Sequence, residues 1–378
     1  MNPLLDSIAP SLIRALNAKK RPGDIDLGLG EPTLRPDMAP FEAATAWVRD
    51  HGCPYSPNAG FLALRHAIAG HYGYPGLDHA DNVCVTVGSQ EALYLAVKAL
   101  CDPAADEVLV VGPGYPAYPK LVQMEGVAVR TVDLPAETGF APDAARVLAA
   151  VGPATRLVIM ASPANPTGRV WPRSELEALA AGLLAREGRP VHVLADEVYR
   201  ELAYTDSPYV SLAEVYPHTL VANSLSKSNA LTGLRLGWLM APTALMPAIV
   251  KAHQFINTAT STYSQQVALA VFQTPGMLQA HRDHYEAKRD TVIAALAARG
   301  FEFVAPEGAF YVMVRLPGSE AADSVAIAYR LLEEAHVVTV PGAAFGAEGW
   351  VRLSWVAEDA AFAEGLDRLQ AFFNDGAG

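Results

Sequence analysis

Short apolar runs rich in β-branched residues alternate along this chain with longer, alanine-rich amphipathic stretches. Val83 to Val87 precedes Ala92 to Leu100; Glu107 to Val111 and Val127 to Val132 follow; Leu157 to Met160 precedes Glu175 to Arg186; Val191 to Ala195 and Thr219 to Ala222 complete the series. Apolar runs of that length, separated by helical patterns, predict βαβ units, and therefore a mostly parallel sheet covered by helices on both faces. In such sheets ligands bind beyond the carboxyl ends of the strands. The unusual residues of the sequence stand there: Gly88-Ser89-Gln90 after Val87, Gly112 to Tyr115 after Val111, Ser162 to Gly168 after Met160, Asp196 after Ala195, and Ser224 to Lys227 after Ala222. One pocket could collect all five.

The pattern changes near Met277. A long helix is expected from there to Arg299, ended by Gly300, followed by strands at Phe310 to Val314 and Val337 to Val340 that flank a helix near Ser324 to Ala335. The expected organisation is an α/β protein of three parts. Residues 1–40 form a segment that packs on the rest and belongs partly to a smaller α/β domain. Residues 41–276 form a large ligand-binding domain, and residues 277–378 supply an interdomain helix and the rest of the small domain. A chain of 378 residues is long enough for both cores.

Charge and cysteine content narrow the partners. Lys and Arg number 28 against 40 Asp and Glu, a net charge of −12, so the overall field repels a polyphosphate backbone and nucleic acid is not expected. Cys53, Cys84 and Cys101 are odd in number and form no CxxC pair, which suits thiols serving as small apolar fillers in a reducing compartment. The first twenty residues lack the pattern of a secretory signal, and no apolar run reaches the ~18 residues of a membrane helix. A soluble, cytoplasmic protein is expected.

Each strand-end residue has a plain reading and a chemical one. Ser89 between strand and helix is an N-cap followed by a helpful acid, or part of a phosphate cradle built from free N–H groups and a hydroxyl. Asp196 is an ordinary cap, or a carboxylate aimed into a site with the Tyr199 phenol close behind; Glu197 beside it is expected to face solvent or a structural partner. Lys227 is a solvated surface amine, or one desolvated between a strand end and a hydrophobic turn and so freed for Schiff-base chemistry. Arg235 is a phosphate fork or a salt-bridge partner. Asn165 lies in a turn-rich loop with two X-Pro bonds that could aim its amide inward, Tyr115 could offer a ring face, and Arg352 in an apolar strand wants a carboxylate. Jointly these residues supply what pyridoxal 5′-phosphate requires: an amine, a carboxylate against the ring nitrogen, donors to the phenolic oxygen, a phosphate cradle and an aromatic plate.

With these residues in view, the sequence resembles the fold-type I, class I/II pyridoxal-phosphate-dependent aminotransferases, the aspartate aminotransferase-like family. The resemblance runs from about Asp26-Leu27-Gly28-Leu29-Gly30-Glu31-Pro32 to Arg352. It is carried by Asn165-Pro166-Thr167-Gly168, Asp196-Glu197-Val198-Tyr199 and Ser224-Leu225-Ser226-Lys227 with Arg235, in that order. It implies that Lys227 forms the Schiff base and later shuttles the proton, that Asp196 pairs with the pyridinium nitrogen, and that Tyr199 and Asn165 bond the phenolic oxygen. Ser89, the Gln90 amide, Ser224 and Arg235 would hold the phosphate and Tyr115 would stack on the ring. Arg352, Asn165 and the Gly30 backbone would receive the substrate carboxylate. Tyr55 matches a tyrosine that relatives extend to the phosphate of the neighbouring subunit, which implies a homodimer with shared sites; as a bare residue it reads as a surface-loop tyrosine.

The implied activity is ping-pong transfer of an amino group from an α-amino acid to a 2-oxo acid. The core motifs do not separate this from β-elimination of sulfur amino acids on the same scaffold, and a non-catalytic ligand-binding relative is a further alternative. The glycine pairs Gly28/Gly30 and Gly112/Gly114 lack the third glycine of a dinucleotide fingerprint. No metal is expected: His281 and His284, spaced i, i+3 on the expected long helix, read as solvent-facing histidines without a third ligand. Neutral Gln90 favours neutral or aromatic substrate side chains over dicarboxylates.

Overall fold

The computed structural model describes residues 3–6, 8–318 and 323–375. Thirteen strands are found among them: β1 (Ile25–Asp26), β2 (Val83–Thr86), β3 (Glu107–Gly112), β4 (Ala128–Asp133), β5 (Thr155–Ala161), β6 (His192–Asp196), β7 (Thr219–Ser224), β8 (Gly237–Met240), β9 (Phe303–Val304), β10 (Tyr311–Arg315), β11 (Val337–Val338), β12 (Val340–Pro341) and β13 (Trp350–Ser354). Seven of them form one sheet in the order β2-β8-β7-β6-β5-β3-β4. All the expected apolar runs are in it.

Alternation along these strands divides their side chains between two covered faces. Val108 and Val110 point to a core shared with the helices Gly88–Leu100, Ala117–Met124 and Met246–Asn257, while Leu109 and Val111 point to one shared with Ala144–Ala150 and Arg173–Leu184. Val83, Val85, Trp238 and Met240 extend the covered surface against the helices Leu62–Tyr72 and Thr262–Gln273. Burial on both sides is why the strands other than the largely exposed edge strand β4 read as continuous apolar runs.

The sequence reading did not include β8, which is antiparallel to both of its neighbours, β2 and β7. Its first residue, Gly237, pairs with Thr86 and Ser224, the last residues of β2 and β7. A Cβ at Gly237 would stand 2.5 Å from the Ser89 backbone nitrogen, so only glycine lets this strand run against the start of the helix Gly88–Leu100.

The remaining strands form an antiparallel sheet β12-β13-β10-β9 and a parallel pair β1-β11. The pair β1-β11 ties the N-terminal segment to the C-terminal part, and Leu16 packs there with Ala328, Leu332 and Val338. The long helix expected from Met277 is a short 3-10 turn, Met277–Gln279, followed by a helix over Arg282–Ala298 that Gly300 ends in a left-handed conformation. His281 therefore precedes that helix and does not share its face with His284. Cys84 is buried as a filler, but Cys53 is exposed, contrary to expectation, because it lies in the loop after the helix Ala39–His51. All three thiols are free.

Candidate active site

The carboxyl ends of β2, β5, β6 and β7 and the loop after β3 converge as the strand order requires. Asp196 is the last residue of β6 and is buried. Its Oδ2 accepts from the Tyr118 hydroxyl at 2.7 Å and its Oδ1 from the Val198 N–H at 3.3 Å. Burial outweighs these bonds and pushes the Asp196 carboxyl up to about 6. A desolvated carboxylate with two neutral donors has room for a cation.

Ser224 ends β7, and its Oγ caps the one-turn helix Leu225–Ser228 by accepting from the Ser226 N–H at 3.3 Å. That turn carries Lys227, whose Nζ donates to the Gly30 carbonyl at 2.6 Å. Desolvation pulls the Lys227 amine down to about 8, with the Arg352 and Arg235 charges acting in the same direction and Glu31 and Asp196 opposing them. Lys227 is therefore not a solvated surface amine: it is half-buried, with its ordinary charge disfavoured.

Ser89 is not the helix cap. The helix begins at Gly88, with Val87 in the cap position and no side chain capping it, so the backbone N–H groups of Gly88, Ser89 and Gln90 precede the first intrahelical acceptor. Arg235, in a left-handed conformation (φ 48°), has no salt bridge among the described residues. Its Nη1 donates to the Thr232 carbonyl at 2.9 Å. A Cβ on Gly88 (φ 74°) would stand 2.5 Å from Arg235 Nη2, so the guanidinium lies against the helix N-terminus in space that glycine leaves open. Two kinds of anion donor therefore meet at one point.

Arg352 projects from β13, 2 % exposed, and it has no carboxylate partner. Instead Nη1 donates to Asn165 Oδ1 at 2.9 Å and Nη2 to the Gly28 carbonyl at 2.8 Å, while Nε is buried without a partner. Its guanidinium carbon lies 4.1 Å from the centre of the Tyr311 ring and 5.0 Å from that of Phe345. Gly30 is adjacent: a Cβ there would stand 3.1 Å from the Tyr311 hydroxyl and 3.9 Å from Arg352 Nη2.

Tyr199 and Asn165, expected to face one oxygen, are each engaged within the chain. The Tyr199 and Tyr311 hydroxyls share a hydrogen bond of 2.8 Å, and Asn165 receives Arg352. Tyr115 is half-buried, its hydroxyl 3.3 Å from Gln90 Oε1 and its ring edge-on to Tyr118. Glu197 faces structural partners, accepting from Tyr74 at 2.8 Å and from Ser211. Tyr55 is 87 % exposed and is not brought to the site within one chain. No group of His, Cys, Asp and Glu suited to a metal is present among the described residues.

Sequence reasoning missed Tyr118, Tyr311 and Phe345. Tyr118 carried a signal, three residues beyond Tyr115 at helical spacing. Tyr311 carried none: it shares a sheet face with Arg352 only because β10 and β13 pair with Met313 opposite Arg352. Phe345 had none either, since its place depends on the turn between β12 and β13.

A family model described as aminotransferase class I and II matches residues 25–369. The chain is 35% identical to the aspartate/prephenate aminotransferase of Thermus thermophilus, an alignment that spans 97% of this chain and 96% of that one. It is also 35% identical to the probable N-acetyl-LL-diaminopimelate aminotransferase of Bacillus subtilis over 92% and 88% of the two chains. Among solved structures, the Thermus thermophilus aspartate aminotransferase with maleate superposes with a TM-score of 0.91 at 34% identity, covering 98% of this chain and 99% of that one.

Proposed function

From the premise that this chain belongs to the class I and II aminotransferases, enzymes that depend on pyridoxal phosphate, we propose how its residues share the work of moving an amino group from an α-amino acid to a 2-oxo acid. The observation that carries the assignment is the Lys227 amine, desolvated and bonded only to a carbonyl, in the same pocket as the buried Asp196 carboxylate.

The donor set fits the cofactor. Asp196, unpaired by any cation, suits a protonated ring nitrogen; the free N–H groups at Gly88, Ser89 and Gln90 with Arg235 and the Ser224 hydroxyl suit the phosphate; Lys227 suits the aldehyde; Tyr115 suits a ring face. When bound, the cofactor supplies an aldehyde that condenses with amines and a cationic ring that accepts the electron pair released at the substrate Cα.

The other steps belong to the protein. The orphaned Nε of buried Arg352, with Asn165 beside it, supports binding of the substrate carboxylate, which exchanges neutral partners for a charged one. The Gly30 carbonyl and the Gly28 carbonyl bring the N-terminal segment to Lys227 and Arg352. With its amine lowered from 10.5 to about 8, Lys227 has a free-base fraction at mildly alkaline pH that an ordinary lysine lacks, and it can hold and move the proton taken from Cα. Asp196 would keep the opposite charge beside the ring nitrogen, and the Tyr199 hydroxyl, now shared with Tyr311, would serve the phenolic oxygen.

The functional unit is a homodimer in this proposal. Support comes from the exposed Tyr55 and Phe255, 87 % and 82 %, on segments linked by the bond from Asn58 to the Thr258 carbonyl at 2.7 Å. Tyr55 would then serve the partner's phosphate site. A cytoplasmic location is part of the same reading, supported by three unpaired thiols; no helix among the described residues is long and apolar enough to cross a membrane.

The test is a half-reaction. Adding an amino acid to the cofactor-loaded protein should convert the aldehyde chromophore to the amine form with release of one 2-oxo acid, and a second 2-oxo acid should restore it. Release of ammonia with pyruvate from a cysteine conjugate, without the amine form, would replace transfer by elimination.

A further inference from the structure

Beneath the phosphate cradle lies a buried carboxylate with no part in the chemistry above. Glu91 follows Gly88-Ser89-Gln90 in the first turn of the helix, and its side chain turns back on the chain: Oε2 accepts from the Val87 N–H at 2.6 Å. Its other oxygen accepts from His253 Nδ1 at 2.8 Å and from Asn257 Nδ2 at 2.5 Å, both on the helix Met246–Asn257. His253 is 0 % exposed, and its Nε2 meets no partner. A carboxylate acceptor requires the proton on Nδ1, which suits an Nε2 left bare in an apolar core.

This arrangement has a cost that helix formation does not explain. An acid in the first turn is ordinarily favoured at the surface by the helix dipole. Here it is desolvated, and any phosphate bound at the same helix end would repel it. What the arrangement achieves is local. Glu91 removes the Val87 N–H from the set of free donors, while the Thr86 hydroxyl holds the Gly88 carbonyl at 2.9 Å from the other side. The peptide is thereby pinned on both sides of Gly88, whose left-handed conformation sets the direction of the Ser89 and Gln90 N–H groups.

We propose that Glu91, clamped by His253 and Asn257, is a positioning residue for phosphate recognition, fixing the Val87–Gly88 turn so that the free N–H groups converge with Arg235. The inference rests on the phosphate assignment made above, and the two are separable. Apo-protein is titrated with pyridoxal phosphate and with pyridoxal, which has the same aldehyde and no phosphate. The ratio of the two dissociation constants reads the cradle alone.

Arg235→Met should reduce that ratio; if it does not, the phosphate assignment fails and this inference falls with it. Given that control, Glu91→Leu should reduce the preference about tenfold or more, and His253→Phe, which keeps the core filled, about threefold or more. Glu91→Gln should retain it, because the amide oxygen still accepts from Val87 while the new NH2 donates to His253 Nδ1, once that imidazole moves its proton to Nε2, and to the Asn257 amide turned to present its oxygen. The phosphorus resonance of bound pyridoxal phosphate should move in Glu91→Leu and His253→Phe and stay in place in Glu91→Gln. Equal weakening of both ligands in Glu91→Leu and His253→Phe, with an unmoved resonance, would mean that the clamp only holds two helices together, and would overturn the proposal. Should Glu91→Leu not fold, His253→Phe decides by the same measurements.

Discussion

Arg352 Nη1 donates to Asn165 Oδ1 at 2.9 Å, joining β13 of the four-stranded sheet to the loop after β5 of the seven-stranded one. The guanidinium is buried, with an aromatic ring on its face and only neutral acceptors along its edge, so burial pulls its pKa below the ordinary arginine value. A carboxylate arriving there would meet a cation with little to displace. Arg352→Lys keeps the charge but loses the planar fork. It should lower kcat/KM about 100-fold, mostly through KM, while the absorbance of bound cofactor is unchanged. Steady-state kinetics with and without the α-carboxylate of the donor check this.

Lys227→Ala should abolish turnover, at least about 10⁴-fold, and still bind cofactor through the phosphate donors and Asp196. Borohydride reduction of the loaded wild type followed by peptide mapping should place the pyridoxyl group on Lys227. A label on another lysine would remove the amine assignment.

Asp196→Asn replaces a charge by a neutral group of the same shape, and Tyr118 can still donate to its oxygen. The rate of Cα proton removal should fall by about 10² or more, since the ring loses the anion that keeps it cationic, while the mutant apo-protein still folds. Deuterium washout from Cα-labelled substrate measures the step directly.

Much of this site was legible because its residues sit where strands end. Asp196, Ser224 and Lys227 follow apolar runs whose register is fixed by burial on both faces, so reading the runs located the residues. Arg235 was legible only as a type. Its place against Gly88 depends on β8 running antiparallel between β2 and β7, and a four-residue apolar run does not declare its direction. The aromatic floor under Arg352 depends on pairing between β10 and β13, strands from distant parts of the sequence whose register appears in no local pattern. The clamp on Glu91 is likewise a tertiary fact: His253 is 162 residues away and looks like any helical histidine.

Tyr55 tests the proposed assembly. If its phenol reaches the partner's phosphate, Tyr55→Phe should weaken pyridoxal phosphate about three- to tenfold without affecting pyridoxal. Sedimentation should give twice the 40.2 kDa chain mass for both proteins. In mixed dimers of Tyr55→Phe with Lys227→Ala, the one active site would be built from the lysine of one chain and the tyrosine of the other, and should recover wild-type cofactor affinity at half the site number. A monomer with full affinity would dismiss the shared site.

The two central titrating groups give the apo-protein a pH signature of definite sign. Asp196 is near 6 when folded and 3.8 in an exposed chain, so between those values the folded state binds more protons and stability falls as pH rises. Lys227 is near 8 when folded and 10.5 when exposed, so between pH 8 and 10.5 the unfolded state binds more protons and stability rises with pH. Subtracting the unfolding free energy of apo Asp196→Asn from that of apo wild type should therefore give a curve that drops by about 2 to 3 kcal/mol between pH 4 and 7 and is level from pH 7 to 8. The corresponding difference for Lys227→Met should be level from pH 6 to 7 and climb above pH 8. Urea titrations at half-unit pH steps resolve both windows. A flat curve for Asp196→Asn would mean that the carboxylate is not desolvated in the empty site, and the electrostatic case for its pairing with a ring nitrogen would lose its footing.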